Sequence, residues 1–259
     1  MASQAAKQLF RCVIMGPPGS GKGTVAQRIV RHFDIIHFAS GDYLRREIRE
    51  RTDMGIEAKQ YIDHGQLVPD ELITKIMIAE LNRHTHSNWL IDGYPRTAVQ
   101  AKTLQNECHI NSVIELDVPF DEIIGRLKHR WIHHPSGRIY NLDFNPPKVP
   151  GKDDITGENL VQRDDDKPET VANRLNNYKK WEEPVAKYYR DQGSLHRFSG
   201  RATNEIWPHI LKYLEEAIPQ QYHFRHRHPD HTHGHGHSDH VHHKHGDHGH
   251  RHADHHGRQ

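Results

Sequence analysis

The chain has 259 residues, with 35 Lys and Arg against 34 Asp and Glu, a formal net charge of +1, and 27 His. This balance offers no global basic field for nucleic acid, no apolar run approaches the roughly 20 residues of a membrane-spanning helix, and two cysteines, Cys12 and Cys108, make neither a disulfide framework nor a metal cluster by themselves. Composition changes at residue 223: 16 of the 27 His fall in residues 223–259, mixed with Gly and Asp and almost nothing apolar, so a disordered His-rich tail is expected behind one globular body, residues 1–222.

Met1 to Arg11 is mildly basic and, by expectation, too short for an ordinary cleavable presequence. Residues 10–15 then predict a strand, from the apolar run Cys12-Val13-Ile14-Met15. Residues 16–24 read Gly-Pro-Pro-Gly-Ser-Gly-Lys-Gly-Thr. A helix follows to about Phe33. Strand, glycine-rich loop and helix in that order make the phosphate-binding P-loop, with four residues between Gly16 and Gly21 and Lys22 directly after. Glycines let several backbone N–H groups converge on one anion, the new helix adds its positive end, and Lys22 reaches the terminal phosphates. Gly23 stands where the general motif has Ser or Thr, and Thr24 comes next. A switch GTPase would also need an Asn-Lys-x-Asp base reader, which is absent.

Ile35 to Ala39 predicts a second strand, and Ser40-Gly41-Asp42 caps a helix from Tyr43 to Arg51. A helix over 55–64 ends at Gly65. Pro69-Asp70-Glu71 opens the next, with Leu72, Ile73, Ile76, Met77 and Leu81 at helical spacing. Trp89-Leu90-Ile91 is a strand running into Asp92-Gly93-Tyr94-Pro95-Arg96. Ser112 to Leu116 is another, and Pro119 opens a helix through Arg130. Residues 132–162 are turn-rich. A long helix covers Thr170 to Asp191, His196 to Phe198 is a short strand, and Ile206 to Ala217 a last helix. Alternating strands and helices predict an α/β fold with a parallel sheet covered on both faces, whose ligands sit at the carboxyl ends of the strands.

Four stretches carry a family resemblance across residues 8–220: the loop 16–24, Ser40-Gly41-Asp42-Tyr43-Leu44-Arg45, Asp92 to Arg96, and Arg163-Asp164-Asp165-Asp166-Lys167-Pro168-Glu169-Thr170. In that order they resemble the long-lid adenylate kinases. Arg130-Trp131-Ile132-His133 and the segment Phe198 to Pro208 are similar to the branch that transfers phosphate from GTP to AMP in the mitochondrial matrix. A sister branch, an ATP-preferring adenylate kinase and a cytoplasmic location are the alternatives. A nucleotide sensor or a metal-binding protein is the rival from another class.

The resemblance implies a P-loop NTPase-type core, a helical AMP-binding segment near residues 39–68 and a small β-rich lid near 131–167, in a monomer. Phosphoryl transfer needs alignment, charge stabilisation and exclusion of water, and arginines on mobile segments serve all three. By resemblance, Lys22, Arg96, Arg130, Arg163 and Arg174 are catalytic. Gly19, Ser20, Gly21, Lys22, Gly23, Thr24, Arg126, Arg130, Ser136, Ile139, Tyr140 and Thr203 bind the donor, GTP or ATP. Ser40, Arg45, Gln66, Leu67, Val68, Gly93, Tyr94, Pro95, Arg96, Gln100, Arg163 and Arg174 bind AMP. Asp92 holds Mg²⁺ through water.

Some long-lid relatives clamp the lid with four cysteines on zinc. Here His133, Ser136, Asp153 and Thr156 stand at those places, and Ser and Thr are poor zinc ligands. A metal-free hydrogen-bonded network is expected instead. The tail's many imidazoles suit divalent transition metals, bound weakly.

Overall fold

The computed structural model describes residues 8–224. The first half contains β1 (Arg11–Met15), α1 (Lys22–His32), β2 (Ile36–Ala39), α2 (Ser40–Glu50), α3 (Asp53–Asp63), α4 (Asp70–Asn82), β3 (Trp89–Asp92) and α5 (Ala98–Glu107). The second contains β4 (Ser112–Asp117), α6 (Phe120–Lys128), β5 (Arg130–His133), β6 (Arg138–Asn141), α7 (Pro168–Asp191), β7 (Leu195–Ser199) and α8 (Thr203–Ala217), with a 3₁₀ turn at Asp164–Asp166.

Five strands form a parallel sheet in the order β2-β3-β1-β4-β7. Strand alternation sorts the core into two layers. Cys12, Ile14, Leu90, Ile114 and Leu116 meet Val25, Ala26 and Ile29 of α1 and Ile206, Ile210 and Leu214 of α8 on one face. Val13, Met15, Ile91 and Val113 meet Met77 of α4, Leu104 of α5 and Val185 and Tyr189 of α7 on the other. Burying each large apolar side chain contributes about 1.5–3 kcal/mol before entropy is counted. β1 is central and flanked on both sides, which fixes the strand that launches the phosphate loop. β5 and β6 pair antiparallel in a second, two-stranded sheet within the segment expected to form the lid, from Arg130 opposite Asn141 to His133 opposite Arg138.

Four expectations are corrected. Ser40 does not cap α2 from outside; it is the first helical residue, 2% exposed, with Ala39 before it. Helix α5 was unforeseen, because it buries only Gln100, Ala101 and Leu104; its start is set by Thr97, whose hydroxyl accepts from Gln100 N at 3.1 Å. Arg130 opens β5 rather than ending α6. His223 and Phe224 belong to the folded body: His223 bridges to Phe33, and Phe224 N donates to His32 O at 2.9 Å. The rest of the expected tail, residues 225–259, lies outside the described residues.

Candidate active site

The loop after β1 turns on glycines with left-handed backbone. Gly19 has φ +81° and Gly21 φ +97°; a Cβ on Gly21 would come within 2.5 Å of Thr203 Oγ1. Lys22 folds its Nζ back onto the carbonyls of Gly16 and Pro17, at 2.8 and 2.9 Å. Burial pushes its pKa down to about 8, opposed by Asp92 and assisted by Arg96, Arg174 and Arg130. Ser20 Oγ is buried without a hydrogen-bond partner. Gly23 faces the lid, where a Cβ would meet Ile139 Cδ1 at 3.0 Å. Thr24 follows in the first turn of α1, partly buried.

Ser40, Arg45, Gln66, Leu67, Val68, Gly93, Pro95, Arg96, Gln100, Arg174 and Lys22 line one cavity. Gly93 has φ +80°, and a Cβ there would sit 2.7 Å from Ser40 Oγ, so both the conformation and the space exclude a side chain. Arg96 Nε donates to Gly93 O at 2.7 Å. Gln100, expected to contact AMP, is among the residues lining this cavity. Its Oε1 accepts from Arg96 N at 2.6 Å and its Nε2 donates to Asp70 Oδ1 at 2.7 Å, so the amide braces the Arg96 turn and keeps one N–H to spare. Tyr94 turns away: it is 1% exposed and its hydroxyl donates to Thr74 Oγ1 at 3.2 Å. Tyr178, Trp181 and Glu182 of α7 also line the cavity. Their i, i+3, i+4 spacing on a long helix was the available signal.

The arginines converge from separate elements. Arg130 of β5 forks onto Asp166, with Nε at 2.8 Å from Oδ2. Arg174 of α7 reaches Asp165 Oδ2 at 3.0 Å and Asp166 Oδ1 at 3.3 Å. Arg163 Nη2 lies 3.7 Å from Asp42 Oδ1, which also receives Arg45. The crowding shows in the titration. Burial, then Arg45 and Arg130, push Arg163 down to about 9. Burial and Arg174 push Arg96 down to about 10. Asp165 is held at about 2, because Arg174, Arg45, Arg163 and Arg130 together overcome its burial. Asp92 stands at the end of β3, its Oδ2 3.9 Å from His37 Nε2.

Arg126, expected at the donor, has its Nη2 donating to the Arg201 carbonyl and its guanidinium 5.7 Å from the Phe144 ring centroid. Phe144 was not foreseen. Ser136 and Tyr140, both expected at the donor, place their hydroxyls in the lid's polar network. Tyr140 is 4% exposed; its hydroxyl donates to Asp153 Oδ1 at 2.9 Å and accepts from Asp154 N at 2.8 Å.

The lid's polar core is closed on itself. His133 Nδ1 lies 2.7 Å from Ser136 Oγ and Nε2 faces Glu158 Oε2. Asp153, 2% exposed, accepts from Arg138 Nε at 2.8 Å and Nη2 at 2.6 Å, and from Thr156 N and Oγ1 at 2.9 and 3.0 Å. These bonds, Arg138 first, hold its carboxyl far below the usual carboxylate range. Sequence reading named four members; Arg138, Tyr140 and Glu158 complete the set.

The family profile for adenylate kinase matches residues 14–194. A protein of Drosophila melanogaster, "GTP:AMP phosphotransferase, mitochondrial", is 47% identical over 211 residues, covering 82% of this chain and 98% of that protein. A protein of the same name from Saccharomyces cerevisiae is 43% identical over 215 residues, 79% and 92% of the two chains. An "Adenylate kinase" of Pyrococcus abyssi is 42% identical over 216 residues, 81% and 97%. A parallel sheet with a P-loop at its centre, arginines gathered over it and a matching family profile lead to one conclusion: the chain belongs to the adenylate kinase family.

Proposed function

We propose that the chain catalyses the reversible reaction NTP + AMP ⇌ NDP + ADP, with GTP as the favoured donor. One observation carries the reading: Lys22 and arginines from α2, the turn after β3, β5, the lid's end and α7 gather around the same carboxylates, Asp42, Asp92, Asp165 and Asp166. That arrangement suits a nucleoside triphosphate and a nucleoside monophosphate brought phosphate to phosphate. In it Arg45 and Arg96 hold the AMP phosphate, and Arg126 and Arg130 the donor. Arg163 and Arg174 stabilise the phosphoryl group in transit. The base of AMP lies against Ser40 and the Gln66–Val68 backbone.

Magnesium fits the donor set at this place. Asp92 offers a hard carboxylate at the end of β3, and the Thr24 hydroxyl stands in the first turn of α1, just after the phosphate loop. The ion neutralises phosphate charge when bound. Lys22 keeps its own positive charge aimed at the loop whose carbonyls it touches.

The GTP preference rests on the relatives' names, as does a mitochondrial location, with the matrix as its finer form. The Pyrococcus relative's name leaves ATP as the second reading. We add that the chain works as a monomer and that the His-rich tail binds Zn²⁺ or Ni²⁺ weakly. Steady-state kinetics with GTP, ITP and ATP against AMP test the reading. GTP should give the highest kcat/KM, and the chain ended after Phe224 should keep kcat within about twofold while losing Zn²⁺ uptake in calorimetry. An ATP optimum would overturn the donor assignment.

A further inference from the structure

We propose that Asn177 is a positioning residue for AMP, fixing the loop that receives the base; this rests on the reading that AMP lies against Gln66–Val68.

Helix α3 ends in a tight turn at His64 and Gly65. Gly65 N donates to Ile62 O at 3.0 Å and Gln66 N to Tyr61 O at 2.8 Å. Both N–H groups are therefore used in closing the helix. The Gly65 carbonyl points the other way, and it accepts from Asn177 Nδ2 at 3.0 Å across 112 residues of sequence. The next three residues, Gln66, Leu67 and Val68, line the cavity. The bond thus pins the last residue before the base-receiving loop to α7.

The approach is close for a reason. Gly65 has φ +65°, and a Cβ on it would lie 3.0 Å from Thr170 O and 3.1 Å from Arg174 Cγ. Only a glycine lets α7 come near enough for a short amide to span the gap. Asn177 lies one turn past Arg174, on the same face of α7. One face of one helix therefore holds the phosphate end of the acceptor site through Arg174 and the base end through Asn177. A mid-helix Asn is a poor helix former. Its amide supplies a neutral donor in a site already crowded with cations, where a Lys or Arg would add to the repulsion.

The role is distinct from chemistry. Asn177 bonds backbone that meets the AMP base, not the transferring phosphate, so its loss should appear in AMP binding. Asn177→Ala and Asn177→Asp both remove the donor; the second keeps the shape and sets an acceptor against the carbonyl. Each should raise KM for AMP about tenfold, the scale of one part-buried hydrogen bond. Each should leave kcat and KM for GTP within about twofold, with the melting temperature little changed. Asn177→Gln, which keeps the donor, should recover most of the AMP affinity.

Arg96→Ala serves as the control for the cavity. If Arg96→Ala raises KM for AMP and the Asn177 variants do not, the inference fails and the AMP site stands. If neither variant moves it, AMP binds elsewhere and both readings fail. Equal losses in kcat, both KM values and stability would make Asn177 a packing residue only, and overturn the proposal.

Discussion

Two polar clusters in this molecule are built on opposite plans. In the lid, Asp153 is surrounded by Arg138, Tyr140 and Thr156, and the ring nitrogens of His133 face Ser136 and Glu158. Each charge has an opposite charge or a fixed dipole against it, and the carboxyl is held strongly ionised. Over the phosphate loop, Lys22 and five arginines face only four carboxylates, and burial with mutual repulsion weakens the protonation of Lys22, Arg96, Arg163 and Arg174. A cluster that exists for stability satisfies its own charges. A cluster with surplus charge is costly to the fold, and that cost is what polyphosphate binding relieves.

Substitutions in the cationic cluster should have the largest effects. Lys22→Met, Arg163→Ala and Arg174→Ala should each lower kcat by about 10²–10³-fold. The melting temperature should change little, since relief of repulsion among buried cations is offset by lost ion pairs, Arg163 with Asp42 and Arg174 with Asp165 and Asp166. A variant that kept turnover within tenfold, or that unfolded, would move its residue to the structural side. Scanning calorimetry beside the kinase assay separates the two.

The lid should behave in the reverse sense. Asp153→Ala strands the Arg138 guanidinium and the Tyr140 hydroxyl in a buried network. The melting temperature should fall by about 5–10 °C, with faster hydrogen exchange in β5 and β6. Chelators should change neither quantity in the chain ended after Phe224. A lid unmoved by Asp153→Ala would deny the network its role.

The smallest effect lies where the clusters' logic mixes. Glu182 lines the cavity beside Arg96 and Arg174, and burial, then the neighbouring Glu115, push its pKa from 4.5 up to about 7. Glu115 itself is buried and paired with Arg197 at 2.8 Å. The folded chain therefore holds the Glu182 proton more tightly than the unfolded chain does. Its stabilising contribution is complete below pH 4.5 and is lost as pH rises through about 7. Glu182→Gln should gain stability relative to the natural chain between pH 5 and 8, by a degree or two in melting temperature, with the difference levelling off above. A constant offset across that range would show that Glu182 titrates normally.

The sequence by itself determined whatever is local. Glycine spacing set the phosphate loop, because positive φ at Gly19 and Gly21 is a single-residue property. Short continuous apolar runs set β1, β3 and β4, and the absence of Cys from residues 131–166 pointed to a hydrogen-bonded lid. Only the tertiary structure decided which partner each polar group takes. Arg130 meets Asp166 across 36 residues, and Asn177 meets Gly65 across 112. Residue identity does not encode such pairings, because any Arg and any Asp are compatible in one dimension. The Tyr140 hydroxyl closes on Asp153 and the Gln100 amide braces Arg96, because buried polar groups must find partners wherever packing puts them. Helix α5 and the packing of His223 and Phe224 onto the body escaped for the same reason. Their local patterns are weak, and burial against distant elements supplies the energy that sequence periodicity there does not show.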